Sequence, residues 1–388
     1  MKTFKALAYS FCFTSVLAVP TVSWGVSDLE VRELLNEVNE LKREVKQLKS
    51  NQDRIVVQQK ETVEEQRAEV EEVLEEVEAT NSVLDYLPRV SGYADVEYKM
   101  SDKNGANDGF RIHHLSLFFT KQWSEKWRFF SEIEYEDGPK FEGDTADGKI
   151  FVEAVNIDYL WRPEAMIRLG RFFTPAGLWS VDHYPPFVPT QDRPLHVRKI
   201  FPQLIDGASV FGSFNLADTN AFLNYNVFVG NGEGNTGHND DNSKKAVGGK
   251  LSFVLPFLDH AELGGTAYHD GLNNGDDKFA IGAHGIFKQS NFTLQGEYAT
   301  ANINAQSGSD HSDYGYYAQL FYDWSDFTFG GRHDFLDRKG VDRTRETLFL
   351  NYHVNSNLVL KYEQHWDDFD SGKEDSTSAI FSIVGYLD

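Results

Sequence analysis

Two sets of ionisable residues in this 388-residue chain have types and spacing suited to electrostatic work on ions. The first lies in one irregular stretch, residues 173–203, as Asp182, His183, Asp192, Arg193, His196, Arg198 and Lys199. The second is spread over later segments of alternating pattern, as Arg332, Arg345, Lys361 and Glu363. The same kind of polar face carries Glu132, Glu134, Asp158, Glu297 and Asp334. Charge at a narrow point decides which ions pass, and opposed charges on facing walls set up a transverse field that orients dipolar solutes. With its histidines neutral, the irregular stretch has one positive charge in excess. Each of these residues also reads as an ordinary solvated polar group, so the balance names neither anions nor cations.

Other chemistries have weaker signals. Asp182 and His183 stand near Ser180, but nearness in sequence does not make a triad and no nucleophile turn accompanies them, so catalysis is not expected. The run Gly232 to Gly237 matches a dinucleotide-binding spacing by letter, yet no helix or parallel unit follows, and it reads as loop. His113 and His114 are adjacent, which in a regular strand sends them to opposite faces, poor geometry for a metal. The single cysteine is Cys12. No metal, cofactor or nucleic acid is expected.

The elements that must position these residues are strands. From residue 90 onward the hydrophobic period is two, and sixteen segments of strand character follow. Phe292, Leu294 and Tyr298 face one way while Thr293, Gln295 and Glu297 face the other. Short connections such as those near Ser124, Pro163, Ser290 and Ser356 alternate with long polar ones near 103–108, 232–243, 302–312 and 367–376. Aromatic residues form 14% of the chain and gather at segment ends, among them Tyr98, Trp123, Trp127, Tyr159, Trp161, Tyr322, Trp324, Tyr352 and Trp366. Strands of about ten residues, alternating turn lengths and aromatic girdles predict an all-β, 16-stranded antiparallel transmembrane β-barrel over 89–388. A negative mean hydropathy of −0.46 opposes a helical membrane protein but not a barrel, in which only alternate residues meet lipid.

Residues 173–203 then join the fifth strand to the sixth. Six of the eleven prolines fall here, which excludes a helix or a central strand. Phe173, Trp179, Tyr184, Phe187 and Phe201 fall here too, and a solvated linker would lack them. An irregular segment of about 30 residues with that aromatic mass is expected to pack inside the barrel and narrow it.

The amino-terminal part differs. Lys2, Lys5, an apolar run over 6–19 and small residues at Ser23 and Gly25 have the layout of a signal peptide, 1–25. Residues 26–86 contain neither glycine nor proline, and Val31, Leu34, Val38, Leu41, Val45 and Leu48 recur in steps of three and four. That is an α-helical coiled coil preceding the barrel, its seam resuming at Val63 after a stutter. Valine–leucine seams lean toward two strands, whereas the barrel points to a homotrimer. The expected setting is the outer membrane, with its lipids as partners. The coil is then periplasmic, and one function open to it is contact with the cell wall.

Val90-Ser91-Gly92-Tyr93 opening the barrel, Leu169-Gly170-Arg171-Phe172-Phe173-Thr174-Pro175-Ala176-Gly177-Leu178 entering the loop, and Asp206-Gly207 with Gly212 leaving it carry a resemblance. In these the chain resembles the phosphate-selective porin O and P family of Gram-negative outer membranes, over about residues 90–388. The resemblance implies a sixteen-stranded trimeric channel for passive diffusion of small hydrophilic solutes. Namesake members line their lumen with bases for phosphate. Here 60 acidic residues stand against 37 basic ones, a net charge of −23, so an anion-preferring channel is an alternative that the acidity opposes.

Overall fold

The computed structural model describes residues 28–84, 86–142, 145–216, 220–233, 240, 242–370 and 375–387. The expected signal peptide with Cys12, and residues 234–237 of the glycine-patterned run, lie outside the described residues. The chain divides at Val83/Leu84 into two units.

The first unit contains α1, Asp28–Leu84, a helix of 57 residues. A sequence rich in Glu, Lys, Val and Leu, without helix breakers, propagates the helix for a length of about 86 Å. Val38, Leu41, Val45 and Leu48 are exposed along it.

The second unit is a closed antiparallel barrel of sixteen strands. Its first quarter is β1 Arg89–Ser101, β2 Gly109–Ser124, β3 Trp127–Glu142 and β4 Thr145–Arg162. Then come β5 Ala165–Phe173, β6 Leu204–Leu216, β7 Ala221–Gly230 and β8 Ala246–Leu255. The third group is β9 His260–Gly271, β10 Asp277–Gln289, β11 Phe292–Asn304 and β12 His311–Trp324. The last is β13 Phe327–Asp337, β14 Asp342–Asn355, β15 Leu358–Phe369 and β16 Ser376–Leu387. Every strand pairs with its sequence neighbours, and β1 closes on β16 from Gly92 opposite Leu387 to Ser101 opposite Ser378. Closure removes the two free edges that an open sheet would expose. The hairpin of β3 and β4 is the longest in the barrel's first quarter, and its pairing is interrupted between Glu136 and Lys140. Pro139, which has no N–H to give the ladder, sits in that gap.

The barrel is inverted relative to a water-soluble fold. Leu294, Leu320, Phe329, Leu348 and Leu350 are exposed, while Thr293, Gln295, Gln319, Thr347 and Asn351 are buried. Period-two alternation makes one face of each strand apolar, and the closed sheet turns that face outward. Trp123, Trp127, Trp161 and Trp324 lie exposed beside the short turns.

Two register breaks alter which side chains reach the interior. Asp95 pairs with His114 but Val96 with Ile112, so His113 is an extra residue in β2. Glu132 pairs with Ala154 but Ile133 with Val152, so Glu153 is an extra residue in β4. A bulge re-aims the side chain of the extra residue. His113 and His114 therefore do not point to opposite faces. Their rings lie 3.6 Å apart, centroid to centroid, and both Nδ1 atoms meet Asp95, at 3.3 and 2.8 Å. His113 also reaches Glu97 at 2.8 Å.

Candidate functional site

The loop between β5 and β6 crosses the barrel interior. Its base is closed by Thr174 N–H donating to the Gln203 carbonyl at 2.9 Å. Prolines deny it a ladder, so it folds as successive tight turns, with Asp182 N–H donating to Leu178 O, Val188 N–H to Tyr184 O and Ile200 N–H to His196 O. Arg198 holds a left-handed φ of 63°, unusual for a residue with a Cβ. Gly177, at φ 57°, lies so close to the wall that a Cβ there would overlap the Glu297 carboxylate.

Three sectors of the wall hold the loop. On β8 and β11, Lys250 Nζ donates to Gly177 O at 2.6 Å and Glu297 accepts from Trp179 N–H at 3.0 Å. Trp179 itself is buried, packed with Val197 and Tyr317. On β13 to β15, Lys361 Nζ donates to the carbonyls of Pro185 and Val188 at 2.6 and 2.7 Å. Asn351 donates to Pro189 O at 2.8 Å, and Arg332 to Thr190 and, at 3.0 Å, to Asp192 O. Glu363 accepts from the backbone N–H groups of Gln191 and Asp192. On β1, β3 and β4, Gln191 donates to Asp95, Tyr184 OH to Glu132 at 3.2 Å and Gln203 to Glu153 at 2.8 Å. Wall cations thus satisfy carbonyls, and wall carboxylates satisfy N–H groups, that the irregular loop cannot pair within itself.

The structure brings Asp192, Arg332, Arg345, Lys361 and Glu363 into one contiguous patch. Arg345 bridges Asp192 and Asp367, each at 2.9 Å, and Arg332 pairs with Asp334 at 2.7 Å. Arg332, Arg345 and Lys361 are at most 8% exposed. Arg332, Arg345 and Lys361, the bases of the later alternating segments, therefore lie beneath the loop and are occupied in holding it. Burial raises the pKa of the Asp192 carboxyl, but Lys99, Arg345, His365 and Arg332 outweigh it and hold the group well below the usual carboxylate range.

The remaining loop residues are dispersed. His183 and His196 are buried, His183 between Phe173 and Tyr184 and His196 against Tyr317. Burial, reinforced by Arg193, pushes the His183 imidazole well below its ordinary pKa, so it is neutral. Asp182 and Lys199 are exposed, and Arg193 and Arg198 half-buried. Asp182 lines a cavity of about 410 Å³ together with Arg128, Asp158, Arg168, Phe173 and Tyr184. There Asp158 is clamped by Arg128 at 2.6 Å and Arg168 at 2.7 Å, and with Asp182 the charges of the lining balance.

Sequence reasoning missed Arg128, Arg168, Asp95, Glu97 and Glu153. A signal for the bulged residue existed. Outward apolar positions in β2 are even at Phe110 and Ile112 and odd at Leu115, Leu117 and Phe119. In β4 they are even at Ile150 and Val152 and odd at Val155 and Ile157. A change of parity marks one inserted residue.

No protein-family model matches the chain. Among proteins of known sequence, an uncharacterized protein of Aquifex aeolicus (strain VF5) is 27% identical over 201 residues, 49% of this chain and 45% of that protein. Among solved structures, an anion-selective porin from Comamonas acidovorans superposes with a TM-score of 0.59 at 12% identity, over 77% of this chain and 99% of the porin. Salmonella typhi OmpF, solved in complex with daunomycin, gives 0.54 at 12% identity, over 77% and 98%. The outer membrane channel DcaP of Acinetobacter baumannii gives 0.52 at 12%, over 77% and 97%. At these identities the likeness is one of fold, and the fold is that of the outer-membrane porins.

Proposed function

We propose that this chain is an outer-membrane channel for passive diffusion of small hydrophilic solutes, narrowed by the loop of residues 173–203. The observation that carries this reading is the loop's attachment to strands on several sides of the barrel at once, from Lys250 and Glu297 to Arg345, Lys361 and Glu132. A segment so held leaves solutes only the space beside it. The exposed apolar strand faces and the tryptophans beside the short turns support a place in a bilayer, with lipid as partner. Residues 89–388 form the channel and 26–86 a coiled coil in the periplasm, where an exposed valine–leucine seam favours self-association. A homotrimer satisfies both parts, and contact of the coil with the cell wall is a role compatible with transport.

The test is single-channel recording in planar bilayers. Removing residues 180–198 should raise conductance in channels that still assemble, and unchanged conductance from such channels sinks the reading. A second reading, preference for anions including phosphate, draws on the Arg128 and Arg168 side chains, which are 39% and 28% exposed while Asp158 between them is 1% exposed. Reversal potential under a tenfold potassium chloride gradient distinguishes the two readings.

A further inference from the structure

Glu132, Glu134 and Glu153 bring three carboxylates together where β3, β4 and the loop meet. Glu132 and Glu134 share the inward face of β3 by period two, and the β4 bulge turns Glu153 in beside them. Their exposures are 0%, 0% and 5%. One oxygen of each is spoken for. Glu134 Oε2 accepts from Tyr93 OH at 2.8 Å and Ser116 Oγ at 2.6 Å. Glu132 Oε2 accepts from Tyr184 OH at 3.2 Å, and Glu153 Oε1 from Gln203 Nε2 at 2.8 Å. The other three oxygens, Glu132 Oε1, Glu134 Oε1 and Glu153 Oε2, are buried and have no hydrogen-bond partner.

Buried carboxylate oxygens left unpaired are costly, and three together are far more so unless a positive charge joins them. The protein supplies little. Arg198 Nη2 stands 3.6 Å from Glu153, beyond hydrogen-bonding distance, and neutral His183 Nε2 stands 3.7 Å away. Arg193 and His114 also act on the group, but neither hydrogen-bonds the three remaining oxygens.

The geometry points to a divalent-cation site built from Glu132, Glu134 and Glu153, with calcium as the ion that fits. The donors are all hard oxygens, the set calcium takes. One ligand atom from each residue lies within 4.8 Å of the others. Opposite ligands on one calcium ion lie up to about 5.2 Å apart, so three donors this close can share one ion. Magnesium keeps several waters, for which a site this buried has little room. Asp95, His113 and His114 form a second compact group, but there both imidazoles already donate to the carboxylate. The bound ion would tie β3 and β4 to the loop through Tyr184 and Gln203.

The test uses the full chain in detergent, stripped with chelator and titrated with calcium chloride by calorimetry. Terbium luminescence, excited through Tyr93 and Tyr184 beside the site, gives a second readout. One saturable site per chain is expected, weakened at least tenfold by Glu132→Gln with Glu153→Gln. Asp240→Asn with Asp276→Asn, in the connecting loops, should leave it unchanged. Should the glutamine variant fail to fold, europium decay in H₂O and D₂O on the wild-type chain decides. An ion keeping three waters or fewer supports the site, and a more fully hydrated ion overturns it. Absence of saturable calcium binding to the stripped chain overturns it too, and means that protons rather than a cation neutralise the three carboxylates.

Discussion

Arg345 Nη1 stands 2.9 Å from Asp192 Oδ2, joining residues 153 positions apart in sequence. The same guanidinium accommodates Asp367 through Nε at 2.9 Å and Nη2 at 3.0 Å. This side chain is one of several that fix the middle of the loop to the wall. Removing one partner of a buried pair costs about 3–5 kcal/mol, because the other charge stays buried and uncompensated. Arg345→Ala should loosen the middle of the loop and appear as frequent flicker in single-channel current. Asp192→Asn with Arg345→Gln should flicker less than Arg345→Ala, since no charge is stranded. Additive behaviour of the two sites in the double-mutant cycle would show that the pair does not couple.

Acid should reach this contact late. The Asp192 carboxyl is held well below the usual carboxylate range by Lys99, Arg345, His365 and Arg332, against the opposing effect of burial. A depressed pKa gives stability that is complete above the unfolded value, about 3.9, and lost as pH falls through the folded one. Current noise attributable to this contact should therefore be flat from pH 7 to about pH 4 and rise only below it. A rise beginning near pH 6 in wild type, absent from Asp192→Asn, would contradict the assignment.

Trp179 is the loop's principal apolar anchor, 2% exposed against Val197 and Tyr317, with Arg332 over its ring at 5.8 Å. Trp179→Ala should remove about 3–5 kcal/mol of loop docking. Amide exchange over 176–200 would then speed up by roughly two to four orders of magnitude, at about tenfold per 1.4 kcal/mol. Exchange in the strand ladders should stay as in wild type. Equal acceleration in loop and strands would mean that the tryptophan supports the whole barrel instead.

How much of this was legible in the sequence follows from the range of each interaction. Period-two runs and alternating turn lengths are local, so sixteen strands and the position of the loop could be read directly, and the loop's aromatics announced that it packs. Alternation marks Arg332, Arg345 and Lys361 as cations on the polar face. Their role beneath the loop depends on distances across the lumen, such as Lys361 to Pro185, 176 positions away. No local pattern encodes such a contact. His113 and Glu153 were misjudged or missed for a different reason. One inserted residue reverses the facing of everything beyond it, and strict alternation was assumed where parity had already changed at Leu115 and Val155.

The cavity beside the loop supplies a test of selectivity. Asp158 is 1% exposed and needs a counter-charge, so replacing both arginines would strand it. Arg128→Gln alone leaves Arg168 donating to both carboxylate oxygens, at 2.7 and 3.0 Å. It removes the more exposed of the two cations. The reversal potential under a potassium chloride gradient should shift toward cation preference, with conductance little changed. A potential identical to wild type would show that permeating ions do not sense this cavity.

The helix before the barrel offers a test that needs no assumption about the wall. Cys12 is the only cysteine and lies within the expected signal peptide, so a new thiol in α1 has no partner within the mature chain. Val38 is on the valine–leucine seam and Glu40 is off it, and both are exposed on α1. In a parallel coiled coil, equivalent seam residues of neighbouring helices face one another, whereas outer positions point apart. Val38→Cys should therefore form a disulfide between copies under mild oxidation in the full chain, and Glu40→Cys should not. In a trimer one bond joins two of three chains, so about a third of the chain stays monomeric on a denaturing gel. A dimeric coil drives the reaction toward completion. Equal, slow oxidation at both positions would mean that the seam does not pair, and α1 would then be a single charged helix.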